Sequence, residues 1–371
     1  MGPEPHDNDW TSEQTGPLDP DLVLDLLARR LPRAELHCHL AGAVRPSFTR
    51  LGAGPGVRPD QAHDYVDVEG FFVNHRRFAG HLNSVERITE ATLRILEGGV
   101  DHGCRHLELS VNRAEFEGSS VPFATVLDAA GDAFAQMGER VGLSGGLIVA
   151  MDRNSSPSEA LEAVEQADRA RERGVPVLGI GNDGFPSRPL PEFAAAFAAA
   201  RERGLRTTCH ANKPQDVIDA LDLDLDRIDH AWELQGQDEL QRAVARAGVP
   251  VTMAITSCLI MLPGRFPTAA GFPFEELRRA GVHVTLNVDD GAMFFTDSSS
   301  EYRLAARAYG YGGRDLAQIA MASLEAAWLP EHLRAGLLNG WRAEAQALLH
   351  DPRAPRLNAP DAPDAQQSAV R

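Results

Sequence analysis

Histidines and aspartates with metal-binding chemistry recur along the chain at the ends of short apolar runs. His37 and His39 lie two positions apart in the first run, and the period of a strand would turn both side chains to one face. Further candidates end later runs: His210, His230, Asp289 and Asp290. Nitrogen and carboxylate ligands suit Zn²⁺, and a site that keeps one position for water is the catalytic form. The competing interpretation is that each histidine is an ordinary core or loop residue. It is less favoured because several candidate ligands lie at successive strand ends.

Eight apolar runs of strand length alternate with helical stretches, and this alternation must position those side chains. The count predicts an α/β fold of the (β/α)8 TIM-barrel type with extra helices, in which active sites gather at the C-terminal strand ends. A doubly wound open sheet is the alternative, but no G-x-G-x-x-G motif follows the first run. The predicted strands are 34–40, 104–111, 144–151, 175–181, 205–210, 226–231, 249–255 and 282–288.

A single domain is predicted over residues 18–350, between polar tails at 1–17 and 351–371 whose composition is typical of disorder. The connection after the first strand, 41–103, is a long insertion. It contains the turn-rich segment LGAGPGVRPDQ and then a helix candidate, DVEGFFVNHRRFAGHL, with several aromatic residues. Long loops at the C-terminal end of a barrel usually build or cover the site. The aromatic side chains of this helix are interpreted either as an apolar lid over a planar ring or as helix packing.

Composition excludes several classes of partner. The chain of 371 residues has 36 basic and 53 acidic residues, and a net charge of −17 argues against nucleic acid and against an anionic membrane surface. No apolar run is long enough to cross a membrane, and the polar, acidic N-terminus does not resemble a secretory signal. The four cysteines are scattered without a C-x-x-C motif, which is typical of reduced thiols in the cytoplasm. Nucleic acid and an anionic membrane are therefore not expected as partners.

Four ordered motifs carry a resemblance to a known family. ELHCHLAGAVRP is similar to the first-strand motif of the adenosine deaminase family, H-x-H-L-D-G. CHANKP, RIDHA and LNVDDG follow in the family's order, and SLEAAWLPEHLRAGLL resembles its C-terminal helices. The likeness covers residues 30–348, and the chain is identified as a divergent member of this family within the metal-dependent amidohydrolases.

The resemblance implies a zinc-dependent hydrolytic deaminase of an adenosine- or adenine-like aminopurine that releases ammonia by attack of a zinc-bound hydroxide. It implies one Zn²⁺ per chain, held by His37, His39, His210 and Asp289. His230 would orient the attacking water and help to take its proton. Asp290 would hydrogen-bond a ring nitrogen of the substrate, and the backbone amide of Gly184 would contact a purine nitrogen.

Departures from the family pattern fall in the substrate pocket. Ala41 stands where the family has an aspartate that contacts the sugar hydroxyl, which argues against an ordinary ribonucleoside. Asp183 directly precedes Gly184 and is a candidate substrate-binding residue and substitute acid or base. Glu108 is the other carboxylate expected to reach the pocket. Cys258 is interpreted as a buried structural thiol, because no His–Asn pair is placed to activate it.

Lys213 is the only lysine among the 36 basic residues, and it occupies the position of the family's proton-donating glutamate. It is interpreted as a replacement general acid, since an ammonium group can donate a proton. Alternatively, it binds an anionic substrate group in a hydrolase or lyase of altered chemistry. A third interpretation is a non-catalytic pseudo-enzyme in which the lysine points to solvent.

Overall fold

The computed structural model describes residues 19–43, 68–117, 119–184 and 187–353. Their eight strands are all parallel and follow one another in chain order around a barrel. The strands are β1 (Arg33–His39), β2 (Cys104–Asn112), β3 (Ser144–Asp152), β4 (Val177–Asp183), β5 (Arg206–Ala211), β6 (Arg227–His230), β7 (Val251–Met253) and β8 (Val284–Leu286). Each begins and ends within two residues of its predicted bounds, which confirms the predicted (β/α)8 architecture.

Closure of the barrel brings the chain's first and last strands together at the site-bearing end. The Asp289 amide donates to the carbonyl of His37 over 2.8 Å, and a parallel bridge joins Cys38 to Asp289. Residues separated by some 250 positions in sequence thereby become neighbours at the C-terminal strand ends.

Helices cover the outside of the barrel. They are α1 (Pro20–Arg30), α2 (Val68–Ala79), α3 (Val85–Asp101), α4 (Phe123–Val141), α5 (Pro157–Glu172), α6 (Ala194–Glu202), α7 (Pro214–Asp222), α8 (Asp238–Ala247), α9 (Ile255–Met261), α10 (Phe274–Arg279), α11 (Ser298–Tyr309), α12 (Gly313–Ala326) and α13 (Glu331–His350). Among the described residues, no helix has the length and apolar character needed to cross a membrane.

Sequence patterns explain why these segments form these elements. All seven residues of β1 are buried, as expected for parallel strands covered on both faces. Helix α5 starts at a capping box between Ser156 and Glu159 and has proline at its first position. Its buried side chains, Ala160, Ala163, Val164, Ala167 and Ala170, follow the helical period and face the barrel.

The insertion after β1 contributes a wall of the site. Phe71 and Phe78 of α2 pack with Met293 and Phe294 in a small apolar cluster. The Phe71 and Phe294 rings stack with their centroids 5.3 Å apart. The turn-rich segment at 51–61, the predicted tail at 1–17 and most of the tail predicted at 351–371 lie outside the described residues.

Candidate active site

Three ligand atoms from β1 and the end of β8 converge at a spacing that suits a metal ion. The Nε2 atoms of His37 and His39 are 3.2 Å apart, and each lies 3.5 Å from Oδ1 of Asp289. A tetrahedral ion with bonds of about 2.1 Å would hold its ligand atoms about 3.4 Å apart. His210 also faces this cluster, because its ring stacks on that of His37 with a centroid separation of 4.8 Å. His210 forms such groups with His37 and His230 and with His39 and Asp183, so the residues at these strand ends have the donor chemistry to hold a divalent cation.

Buried hydrogen bonds fix the orientation of His37. Its Nδ1 lies 2.9 Å from Oγ1 of Thr252, and this hydroxyl donates to Asp229 over 2.7 Å. Because the hydroxyl proton is committed to Asp229, His37 donates through Nδ1, and Nε2 is the nitrogen that faces the cluster. Thr208 donates to the other oxygen of Asp229 over 2.7 Å. Sequence reasoning missed these supporting residues, although Asp229 immediately precedes the predicted His230.

Asp183 supports the second histidine of β1. Its Oδ2 lies 3.4 Å from Nδ1 of His39, and it accepts hydrogen bonds from the side chains of Ser110 and Asn112. Sequence reasoning assigned Asp183 to the substrate; the structure places it against His39 while it also lines the cavity. Asn112 was missed, and its position at the last residue of β2 is the signal that could have found it.

Two further contacts hold the remaining ligands. Ser257 donates from Oγ to Oδ2 of Asp289 over 2.6 Å. The His210 carbonyl accepts a hydrogen bond of 3.2 Å from Arg153, which also pairs with Asp216 at 3.0 Å. Since both members of that pair are almost fully buried, the end of β5 is held rigidly.

Opposing effects set the pKa values of the two histidines in β1. Burial lowers the pKa of His37, but Asp229 and Asp289 outweigh burial and raise that pKa well above its usual value. Burial also lowers the pKa of His39, but the nearby carboxylates, chiefly Asp290, outweigh burial and raise that pKa to about 9. This side of the cluster therefore favours positive charge, and a divalent cation at the facing nitrogens would replace the protons.

The pKa values of the histidines at the ends of β5 and β6 are lowered instead. Burial and the neighbouring charges of His230 and His37 lower the pKa of His210 well below its usual value. Burial, followed by the charge of His37, lowers the pKa of His230 to about 4. Both imidazoles are neutral near pH 7, so His210 offers a lone pair to a metal and His230 offers one to a proton. Their ring centroids are 4.5 Å apart.

Backbone strain marks the strand ends that carry these groups. His230 has φ = 68°, Ala231 has φ = 45° and Asp289 has φ = 64°, all in the left-handed region. For residues other than glycine this conformation costs about 1–3 kcal/mol each, and it clusters at functional sites. The turn at each strand end is therefore maintained by the surrounding contacts.

A cavity of about 390 Å³ opens beside the ligand cluster. Three aromatic side chains line this cavity, those of Phe71 and Phe72 from α2 and that of Phe294. Phe78 of the same helix does not line the cavity and packs in the apolar cluster. Predicted residues on its wall are His39, His210, His230, Lys213, Asp183, Gly184, Asp289 and Asp290. The structure thus brings nearly all of the predicted site residues to one surface, with His37 directly behind.

Two glycines permit this close packing. Gly184 has φ = 83°, and a Cβ there would lie 2.7 Å from a carboxylate oxygen of Asp152. A Cβ at Gly42 would lie 1.5 Å from Oδ1 of Asp290, so only glycine allows that carboxylate its place. The neighbouring Ala41 is fully buried and contributes no polar side chain.

Lys213 lies at the mouth of the cavity, immediately before α7. The residue is exposed, and among the described residues no carboxylate lies within 4.0 Å of its ammonium group. The side chain therefore faces the pocket without being held by an ion pair.

Asp290 belongs to a chain of buried polar groups that sequence reasoning missed. Its Oδ1 lies 3.2 Å from Nε2 of His75, whose Nδ1 lies 3.3 Å from Oε1 of Glu115. His75 comes from α2, and Glu115 from the 3₁₀ turn that follows β2. No local motif marks either residue, because only the folded insertion brings α2 over the strand ends.

The expectation that Glu108 reaches the pocket is wrong. Glu108 is fully buried inside the barrel, where it accepts hydrogen bonds from Arg227 at 2.7 Å and from the Trp328 amide at 2.7 Å. Its position near the middle of β2 places it too far below the strand ends. Cys258 lines the cavity but is buried, and burial raises the pKa of its thiol well above the usual value, which agrees with an unreactive thiol.

Fold and ligand cluster together define a metal-dependent hydrolase built on a (β/α)8 barrel. The family model described as adenosine deaminase matches residues 32–343. An adenine deaminase of Cupriavidus metallidurans is 32% identical over 332 residues, which is 86% of this chain and 92% of the relative. The chain belongs to the adenosine deaminase family, whose chemistry is hydrolysis of C–N bonds, as the sequence motifs predicted.

Solved structures agree with this assignment. A zinc-bound amidohydrolase from Burkholderia ambifaria is 26% identical, with a TM-score of 0.80 over 91% of this chain and 96% of that one. The adenine deaminase of Arthrobacter aurescens has a TM-score of 0.78 over 86% of this chain and 99% of that one. At 24% identity the second likeness shows the fold alone.

Proposed function

We propose that the protein is a hydrolytic deaminase that converts an adenine-like aminopurine to the hydroxypurine and releases ammonia. The observation that carries this proposal is the convergence of His37, His39 and Asp289 at the spacing of a tetrahedral ion, beside a neutral His230. Relatives described as adenine deaminases support the choice of substrate class. The complete ligand set does not favour a pseudo-enzyme.

We assign one Zn²⁺ per chain to His37, His39, His210 and Asp289. When bound, a divalent cation of this kind lowers the pKa of water into the neutral range, so that hydroxide is available at pH 7. The donor set of three imidazoles and one carboxylate is one that zinc accepts. The four free, buried cysteines are compatible with a reducing compartment, and we place the enzyme in the cytoplasm.

The protein's own residues orient the substrate and move the protons. Neutral His230 accepts the proton of the attacking water and holds that water in place. Asp290 and the backbone amide of Gly184 meet nitrogens on two edges of the heterocycle. Lys213, at the cavity mouth, donates the proton that the ring nitrogen gains as water adds to the neighbouring carbon.

A substrate panel tests the proposal. Adenine, adenosine, 5′-modified adenosines and other aminopurines are incubated with metal-loaded protein, and ammonia release and the ultraviolet spectrum are followed. We expect turnover of adenine above all others, because buried Ala41 offers no acceptor to a sugar hydroxyl. Absence of ammonia from every member, with metal bound, contradicts the proposal.

Replacement of Lys213 tests its assigned role. Lys213→Gln removes the donor but retains a polar side chain, and we expect kcat to fall by about 10²-fold with a small change in KM. A rise in KM at constant kcat would instead identify Lys213 as an anchor for an anionic group. Arg242→Gln, which removes an exposed cation elsewhere on the surface, is the matched control.

A further inference from the structure

One wall of the cavity contains a carboxylate oxygen that no described residue satisfies. Glu115 has 9% of its side chain exposed, and its Oε1 faces His75 at 3.3 Å. Its Oε2 is buried, and no described residue forms a hydrogen bond with it. Such an oxygen is costly to bury unless a ligand completes its hydrogen bonding. Glu115 lines the cavity.

His75 determines what Glu115 can offer to a ligand. The ring lies between two carboxylates, with Nε2 3.2 Å from Asp290 and Nδ1 3.3 Å from Glu115. Burial lowers the pKa of His75, but the two carboxylates outweigh burial and raise that pKa to about 9, so both ring nitrogens carry protons; Nε2 donates to Asp290, and Nδ1 forms an ion pair with Glu115. Oε1 of Glu115 is thereby occupied as an acceptor. The free Oε2 is left to accept a hydrogen bond from a donor in the cavity.

Neighbouring contacts hold Glu115 in this position. Asn112 accepts a hydrogen bond of 2.8 Å from the Ala114 amide through Oδ1, and this bond fixes the turn that carries Glu115. The Nδ2 of the same residue donates to Asp183, which contacts His39. Hydrogen bonds thus connect the turn that carries Glu115 to Asp183, which supports the metal ligand His39.

The surroundings restrict the donor to a particular class. Asp183 and Asp290 on the same cavity surface repel an anionic group, and Phe71 and Phe294 favour a flat, uncharged ring. A purine base carries one ring N–H at its edge, and His75, between Asp290 and Glu115, places the two carboxylates close together on this wall. A ring nitrogen that carries a sugar or an alkyl group has no proton to donate there.

We propose that Glu115 is a specificity-determining residue that accepts a hydrogen bond from a ring N–H and thereby selects the unsubstituted purine base over its N-substituted forms. This inference rests on the aminopurine site proposed above. A buried group that hydrogen-bonds its ligand strongly rejects analogues that lack the partner, because it is then left unpaired.

Binding of two unreactive ligands tests the proposal without turnover. Purine has a ring N–H and 9-methylpurine has none, and neither carries an amino group that could be hydrolysed. Binding is measured by calorimetric titration of the metal-loaded protein at about pH 8. Burial raises the pKa of Glu115 to about 7, so its carboxyl group is mainly ionised at this pH. We expect purine to bind at least about tenfold more tightly than 9-methylpurine.

Glu115→Gln supplies the decisive variant. Because His75 donates to Oε1, the amide must turn its carbonyl oxygen to His75 and its NH₂ group to the cavity, where a donor would face the ring N–H. We expect the purine preference to fall to about twofold or less. Glu115→Asp, which withdraws the charge by one methylene, should also lower the preference. Glu117→Gln, an exposed change at the end of the same turn, should leave it unchanged.

Equal affinity for the two ligands in the wild-type protein contradicts the proposal and needs no variant to be folded. An unchanged preference in Glu115→Gln contradicts it as well. Loss of the expected preference with adenine turnover intact overturns only this inference. Absence of turnover with the preference intact overturns only the proposed chemistry.

Discussion

Two clusters of buried charge lie within the same barrel and share strand β6. In the lower cluster Glu108 and Arg227 pair at 2.7 Å, and the guanidinium lies 3.9 Å from the ring centre of Trp328. In the upper cluster the Nε2 atoms of His37 and His39 face each other at 3.2 Å. In the lower cluster the opposite charges pair with each other, although Nε and Nη1 of Arg227 have no hydrogen-bond partner among the described residues. The upper one directs the ring nitrogens of His37 and His39 and an oxygen of Asp289 at a common point.

This difference separates stability from function better than residue type does. Arg227 and Asp229 point to the same side of β6, and the Arg227 Nε lies 3.7 Å from Asp229, so the two clusters are in contact. Histidine, arginine and carboxylates occur in both. In a (β/α)8 barrel the C-terminal strand ends carry the chemistry and the opposite end carries stability. Variants in the two clusters should therefore fail in different ways.

Asp289→Asn should have the largest effect. The amide is a poor metal ligand, so we expect metal content to fall well below one ion per chain and kcat/KM to fall on the order of 10⁴-fold. Asparagine tolerates the left-handed φ of 64°, so the thermal midpoint should be retained. Elemental analysis and ammonia release measure both quantities, with Asp222→Asn on the surface as the control. Full metal content with full activity would remove Asp289 from the site.

His230→Asn should come next. Asparagine also accommodates the left-handed φ of 68° but cannot accept a proton at neutral pH, so kcat should fall about 10³-fold while bound metal is retained. Parallel metal analysis distinguishes this result from that of Asp289→Asn. Loss of the metal together with activity would mean that His230 acts as a ligand and not as a base.

Glu108→Gln should reverse the pattern. Loss of this carboxylate removes the nearer counter-charge of buried Arg227 and leaves Asp229, 3.7 Å from Nε, as its carboxylate partner, which costs about 3 kcal/mol or more of unfolding free energy. The folded fraction should keep its metal and its specific activity. Urea unfolding measures the change, with exposed Glu172→Gln as the control. Normal stability with lost activity would place Glu108 in the site after all.

Asp229→Asn should give the smallest of these losses. Asp229 supports the metal ligand His37 through Thr252 and through a direct approach of 3.5 Å between Oδ1 and Nδ1, so its replacement should weaken metal affinity by about 10- to 100-fold. Competition with a chelator measures that affinity. Unchanged affinity would show that the hydrogen-bonded chain behind His37 is not needed for binding.

The fold and the predicted metal ligands could be predicted from the sequence, because the patterns that indicate them are local. Buried parallel strands appear as continuous apolar runs, so the bounds of β1 and β2 were predicted closely. His37, His210 and Asp289 end such runs, and the topology of a barrel brings strand ends together.

The residues around the predicted ligands could not be predicted, because their roles depend on their height along the barrel axis and on contacts between distant segments. Glu108 and Asn112 lie on the same face of β2, four residues apart, yet one is in the lower cluster and the other at the pocket. Alternation specifies the face of a strand but not the height along the barrel axis. His75 and Glu115 meet only because α2 folds over the strand ends.

The most direct test of the central claim is to follow adenine with the metal-loaded protein in water enriched in ¹⁸O. We expect equal amounts of ammonia and hydroxypurine, with one ¹⁸O atom from water at the carbon that loses nitrogen. Metal-loaded protein that releases no ammonia, or a product without the label, would contradict hydrolytic deamination at this site.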